Sequence, residues 1–249
     1  MLIKYMRIKL HKCRIVFFDL EFYVPEELRN NKGFVYNPWD KRCKLIGGTF
    51  FTANPIRDFE RKSDYVRKKS KSFWLWKNNN NERQLVENIT IYLRSAYNLV
   101  INAHDGAVSP VLTGINITSS DVPAIFELIK RYKILSNQEA FALQNRFRIV
   151  DLSSVSIPDF NNSTFFLYPK TKNNILNKYY NGEKFESGKS VWDMFDNREF
   201  SGIEDRVLKE IIASFICYKN MKKDFDKFKE LEKIQKKREK IQIGSKKEP

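Results

Sequence analysis

The run Arg14-Ile15-Val16-Phe17-Phe18 leads directly into Asp19-Leu20-Glu21. β-Branched and aromatic residues in a short apolar run read as a central strand. Side chains alternate along a strand, so Asp19 and Glu21, two positions apart, point to the same sheet face. Two carboxylates closing an apolar strand are costly unless a cation or hydrogen bonds compensate them. Such oxygen donors suit hard divalent ions, Mg²⁺ or Mn²⁺. The plainer alternative is a strand end running into solvent, with Glu21 exposed.

The rest of the chain supplies strands and helices in alternation. Lys44 to Thr52 (KLIGGTFFT) reads as the next strand, with Gly47-Gly48 as a kink or bulge. Residues 53–82 are polar and basic and read as an excursion over the surface. Gln84 to Ser95 has helical spacing, with Leu85, Ile89 and Leu93 on one face. Asn98 to Asn102, Val111 to Gly114 and Phe147 to Leu152 are candidate strands. Ser119-Ser120-Asp121 precedes a helix from Val122 to Tyr132, with Pro123 in its first turn. Residues 156–185 read as irregular, with a helix near Asn173 to Tyr180. Ile203, Val207, Ile211 and Phe215 mark one side of a helix over 203–218. A charged helix then continues to about Ile243. This order suits an α/β mixed sheet flanked by helices. It divides the chain into a domain over 1–220 and a basic helical tail over 221–249.

Charge narrows the partner. The formal net charge is +15, a surplus that favours a polyanion such as DNA or RNA. Residues 219–249 hold twelve Lys/Arg against six Asp/Glu, and a second basic run spans Arg61 to Lys77. Both would hold a phosphate backbone without reading sequence, although a Lys-rich tail is also what a solvated helix looks like. Phe22, Tyr23, Trp74 and Trp76 are candidates to stack on unpaired bases, or else core residues. Cys13, Cys43 and Cys217 are widely spaced and form no disulfide framework. Two histidines exclude a histidine-rich metal site. No secretory leader or stretch of roughly 20 apolar residues is evident, so no membrane association and a cytoplasmic location are expected.

The segment FFDLEFYVP resembles the first motif of the DEDD 3′–5′ exonuclease superfamily, which includes the proofreading domains of DNA polymerases. The second motif of that superfamily is a short strand, an Asn, and an Asp opening a helix. The stretch from Leu112 to Pro123 has this shape. The resemblance therefore implies that Asp121 is the third carboxylate and that Asn116 is the accompanying substrate-binding Asn. Ser120 replaces the usual aromatic. The last motif falls on the helix over 203–218, where Glu210 takes the place of a final Asp. Arg206 and Asp205 stand where the family carries a water-orienting Tyr or His. An alternative alignment makes Asp205 the ligand. Asp205 and Glu210 lie about 140° apart around a helix, so both cannot face one site. Arg206 shares a face with Glu210 and could touch it or a substrate phosphate.

The resemblance covers roughly residues 13–220. It implies a ribonuclease-H-like fold and two Mg²⁺ or Mn²⁺ ions held by Asp19, Glu21, Asp121 and Glu210. It further implies stepwise hydrolysis of single-stranded 3′ ends, with Phe22 and Arg206 contacting substrate. Two other readings stay open. One is a catalytically degenerate nuclease fold that only binds nucleic acid. The other is an assembly protein whose tail, through Phe225, Phe228, Leu231, Ile234 and Ile241, meets a protein partner.

Overall fold

A computed structural model describes residues 8–29, 35–160 and 172–245. The apolar run after Arg14 forms β1 (Ile15–Tyr23). It pairs antiparallel with β2 (Lys44–Ala53), which pairs antiparallel with the short β3 (Lys71–Trp74). On its other side β1 runs parallel to β4 (Val111–Gly114), itself parallel to β5 (Arg148–Asp151). The order is β3-β2-β1-β4-β5, so β1 is the central strand and only β2 runs against the others. The chain is thus an α/β protein with a mixed sheet flanked by helices.

Alternation along β1 builds two cores. Val16, Phe18, Leu20 and Phe22 join a large cluster with Leu85, Ile89 and Leu93 of α2 (Glu82–Ala103) and Ile125 and Phe126 of α3 (Asp121–Arg131). Ile15 and Phe17, on the opposite face, pack against Ile211, Ile212 and Phe215 of the last helix, α8 (Phe200–Ser245). The Phe17 ring meets Phe51, Phe215 and Tyr218, the last two edge-on. Burying a ring of this size is worth roughly 1.5–3 kcal/mol. Asp19 and Glu21 continue this face, and α8 therefore runs over them.

Several expectations are corrected. Asn98 to Asn102 is no strand but the last part of α2. Ala96, Tyr97 and Val100 prolong the buried face of Leu93, and helical spacing wins over the short apolar run. Residues 53–82 are not merely a surface excursion. They contain α1 (Ser63–Lys69), the edge strand β3 and a 3-10 turn over Leu75–Asn78. Trp74 there is fully buried. An edge strand pairs on one side only and tolerates Lys71 and Ser72, which disguised it. The irregular reading of 156–185 gives way at its start to α5 (Leu152–Phe160), whereas the helix expected near Asn173 to Tyr180 is present as α6 (Lys172–Tyr179). The stretch between them, 161–171, lies outside the described residues. A helix that was not expected, α4 (Asn137–Asn145), opens with a capping box between Ser136 and Glu139. The segment Ser190–Asp196 forms α7.

The Gly47 kink is present. The β1–β2 register shifts between Glu21 and Phe22, opposite Gly47 and Leu45. Gly47 has φ +144°, and a Cβ there would come within 2.3 Å of the Phe73 carbonyl oxygen. Only glycine fits this conformation and this approach. Helix α8 passes through position 220 without a break. Met221 is its last buried residue among those whose side chains are described, and 222–236 are exposed. No helix among the described residues is long and apolar enough to cross a membrane.

Candidate metal centre

Carboxylate oxygens of Asp19, Glu21 and Glu210 lie within 4.8 Å of one another, and together they could hold a metal ion. Asp19 and Glu21 come from the central strand. Glu210 comes down from α8, one residue before Ile211 and five before Phe215, which anchor that helix to the sheet. Glu21 and Glu210 are buried, and the Asp19 side chain is 13% exposed. Oδ2 of Asp19 is buried without a hydrogen-bond partner. A buried, unsatisfied carboxylate oxygen facing two more carboxylates is a cost that an added cation would relieve.

Asp121 stands beside the three, not among them. Strand β4 pairs with β1 only as far as Thr113 opposite Phe17. Past that point the Leu20 amide finds no β4 carbonyl and donates instead to Asp121 Oδ1 at 2.7 Å. Ser120 Oγ donates to Asp121 Oδ2. The Ser at position 120 thus fixes the carboxylate that opens α3. Asp121 is buried, and its charge still reaches Asp19 and Glu21.

Two cations answer the acids. Lys172, which opens α6, bonds Glu210 Oε2 and lies 3.7 Å from Asp19 Oδ1. Arg206 Nε donates to Glu210 Oε1 at 3.3 Å, its second nitrogen to Ser190 Oγ, and its third to the Glu186 carbonyl at 2.9 Å. Among the described residues, four carboxylates thus face two cations. Burial, reinforced by Glu210, pushes the Glu21 carboxyl up to about 8. Burial likewise raises Asp19 well above the carboxylate range. Asp121 is pushed by burial to about 6, restrained by its bonds from Ser120 and Leu20. For Glu210 burial is outweighed, foremost by Lys172, and its carboxyl lies below the usual value. Lys172 is raised despite burial by Asp19 and Glu210.

Asp19, Glu21 and Asp121 open onto a cleft of about 540 Å³, also lined by Asn116, Tyr36, Lys172, Lys189 and Trp192. It sits past the carboxyl ends of β1 and β4, where open α/β sheets bind ligands. Asn116 is exposed at its rim with φ +64°. Phe22 borders the cleft but is 7% exposed and packs on Tyr36 in the core. Trp74 is fully buried and Trp76 is stacked between Trp74 and Phe200. The stacking expectation for Phe22, Trp74 and Trp76 is therefore corrected: the same apolar surface that would attract a base is already covered by core. Asp205 points away, pairing at the surface with Arg67 and Lys209. The alternative that made it the ligand is set aside by the 140° turn between the two positions. Arg206 makes its contacts within the protein, to Glu210, Ser190 and the Glu186 carbonyl.

Two participants escaped the sequence reading. Lys172 is one of 45 Lys/Arg, and nothing local marks it. Asp151, at the end of β5, is buried and accepts from the amides of Asn116, Thr118 and Ser153 and from the Thr118 hydroxyl. It fixes the loop that carries Asn116 and leads to Asp121. Its signal was an Asp between a strand and a helix, an ordinary capping pattern. The sequence matches no protein-family model and no curated protein.

Proposed function

We propose that this chain is a divalent-metal-dependent nuclease of ribonuclease-H-like fold that hydrolyses phosphodiester bonds in DNA or RNA. The observation that carries the reading is the convergence of Asp19, Glu21 and Glu210 around the unpartnered Asp19 Oδ2. The mixed five-stranded sheet with acids on its central strand is of the kind that the DEDD resemblance calls for. That resemblance alone supplies the 3′–5′ direction and the preference for single-stranded ends.

Asp19, Glu21 and Glu210 would hold Mg²⁺ or Mn²⁺, with Asp121 adjacent for a second ion. Such ions supply an activated water and neutralise charge on the leaving oxygen. The protein's own part is preorganisation. Arg206 keeps Glu210 aimed at the strand. Ser120 and the Leu20 amide keep Asp121 in place. Lys172 neutralises the cluster, and its ammonium would give way to an entering ion. Asn116, on the rim, would meet the sugar or phosphate of a bound strand.

A second reading is favoured by one feature: Lys172 already sits among the acids, as a built-in counter-ion would in a catalytically degenerate fold that only binds nucleic acid. Incubation of 3′-labelled single-stranded DNA and RNA with Mg²⁺, Mn²⁺ or EDTA separates the two. The nuclease reading expects metal-dependent shortening, abolished in Asp19→Ala while the fold is retained. Wild-type protein that binds the strands but never cuts them would leave the degenerate fold. Cleavage by Asp19→Ala at the wild-type rate would sink the site.

A further inference from the structure

At the other end of β1 the sheet carries a second cleft, of about 560 Å³. Arg14, Arg57, Arg61, Lys69 and Lys71 all line it, and Asp58 is its one acid. That acid is already engaged: Asp58 is buried and accepts from Arg57, Tyr65 and the Asn54 amide. Arg61, Lys69 and Lys71 are exposed and pair with no carboxylate among the described residues. Arg61 lies over the Tyr65 ring at 5.3 Å and Lys71 over Tyr92 at 6.0 Å. Both rings also line the cleft. Burial, and after it the nearby charge of Arg57, lower the pKa of Arg14. A surface this positive, unpaired and concave is a standing cost unless a polyanion fills it.

We infer that this groove is a separate anchoring site for the phosphodiester backbone of a single-stranded nucleic acid. Rows of phosphates match several cations set along one groove, and Tyr65 and Tyr92 offer faces to unpaired bases. Arg14 precedes β1, and Asp19 and Glu21 lie five to seven residues further along it. At about 3.3 Å per residue the groove and the acids are roughly 16–23 Å apart. Lys219 of α8 reaches the Arg61 carbonyl at 3.4 Å, so the basic outer half of α8 begins at the rim of this groove. The groove serves the nucleic acid of the proposed nuclease and depends on that partner being right, but not on catalysis.

The test is fluorescence anisotropy of a labelled single strand of about 16 nucleotides, DNA and RNA, in EDTA over a salt series. The triple variant Arg61→Ala/Lys69→Ala/Lys71→Ala should bind at least tenfold more weakly at low salt. Its slope of log affinity against log salt should be shallower by about 2, since each single-strand phosphate contact contributes about 0.7. The charge-keeping variant Arg61→Lys/Lys69→Arg/Lys71→Arg should restore most of that slope. Wild-type affinity and slope in the triple alanine variant, with an unchanged melting curve, would overturn the groove. So would equally tight binding of polyglutamate of matched charge, which would mark a site for acidic proteins. Neither result bears on cutting: metal-dependent cleavage is read separately, and its absence removes the nuclease but leaves the groove.

Discussion

Glu21 and Glu210 face each other from strand and helix, yet their environments drive them apart. Glu21, raised from 4.5 to about 8, keeps its proton in the folded protein where the unfolded chain has released it. Native protein then binds more protons than unfolded between those limits, and stability falls as pH rises through that window. Below pH 4.5 both states are protonated and the group contributes nothing. Glu21→Gln should therefore match wild type near pH 4 and exceed it by up to about 5 kcal/mol near pH 9 in EDTA. Thermal denaturation at the two pH values measures this, and equal melting points at both would refute it. The same cluster predicts the effect of metal. Millimolar Mg²⁺ or Mn²⁺ should raise the melting temperature of wild type at about pH 8 and leave Asp19→Ala unmoved, because an ion that binds only the native state stabilises it by mass action. Arg206 acts on this cluster from behind. Arg206→Ala removes one of two cations from buried Glu210 and releases Ser190 and the Glu186 carbonyl. A loss of about 2–4 kcal/mol is expected. Arg206→Lys should not recover it, since three different nitrogens make the three contacts. A loss under about 0.5 kcal/mol would mean that Glu210 needs no such support.

At the scale of elements, the site exists because β4 stops short. Its last residue, Gly114, lies so close to β1 that a Cβ would come within 2.7 Å of the Phe18 carbonyl and 2.6 Å of Ile117. Past it the chain leaves the sheet, and Asp121 takes over the Leu20 amide. Gly114→Ala should therefore push the loop over 115–120 away from β1. An overpacked backbone contact of this kind costs about 1–3 kcal/mol. The variant should be less stable in denaturant titration and should also bind divalent ions more weakly, by calorimetry, because Asp121 moves with the loop. Loss of stability with intact ion affinity would show that Asp121 takes no part in the ion site.

For the molecule as a whole, α8 does two jobs along one rod. Its first half covers the sheet through Ile211, Ile212 and Phe215 and delivers Glu210. Beyond Met221 it leaves the body, and side chains from Lys222 to Lys236 are exposed. Phe225, Phe228, Leu231 and Ile234 lie among them. Three-residue steps rotate each by about 60° from the last, so they spiral around the helix instead of forming one seam. Deleting 222–249 should leave the melting temperature within about 2 °C and the protein dispersed in solution. It should also weaken oligonucleotide binding and flatten its salt dependence. Precipitation of the truncated protein would show that these side chains are covered by something in the intact one.

Local physics was legible in the residues. The strand through Phe17 and Phe18, the shared face of Asp19 and Glu21, the glycine kink and the helix over 203–218 all follow from side-chain alternation, helical spacing and the geometry of glycine. These depend on neighbours a few positions away. The strand order was not legible, nor was the burial of Trp74 within a basic stretch. Of the partners of Glu210, Arg206 was legible, four residues earlier on the same helix face. Lys172, far away in the chain, looks like any other cation until the fold sets α6 over the end of β1. The choice between Glu210 and Asp205 illustrates the boundary. The helix alone says that the two point about 140° apart. Only the packing of Ile211 and Phe215 against Phe17 decides which one turns inward, because burying those rings leaves the helix a single rotation.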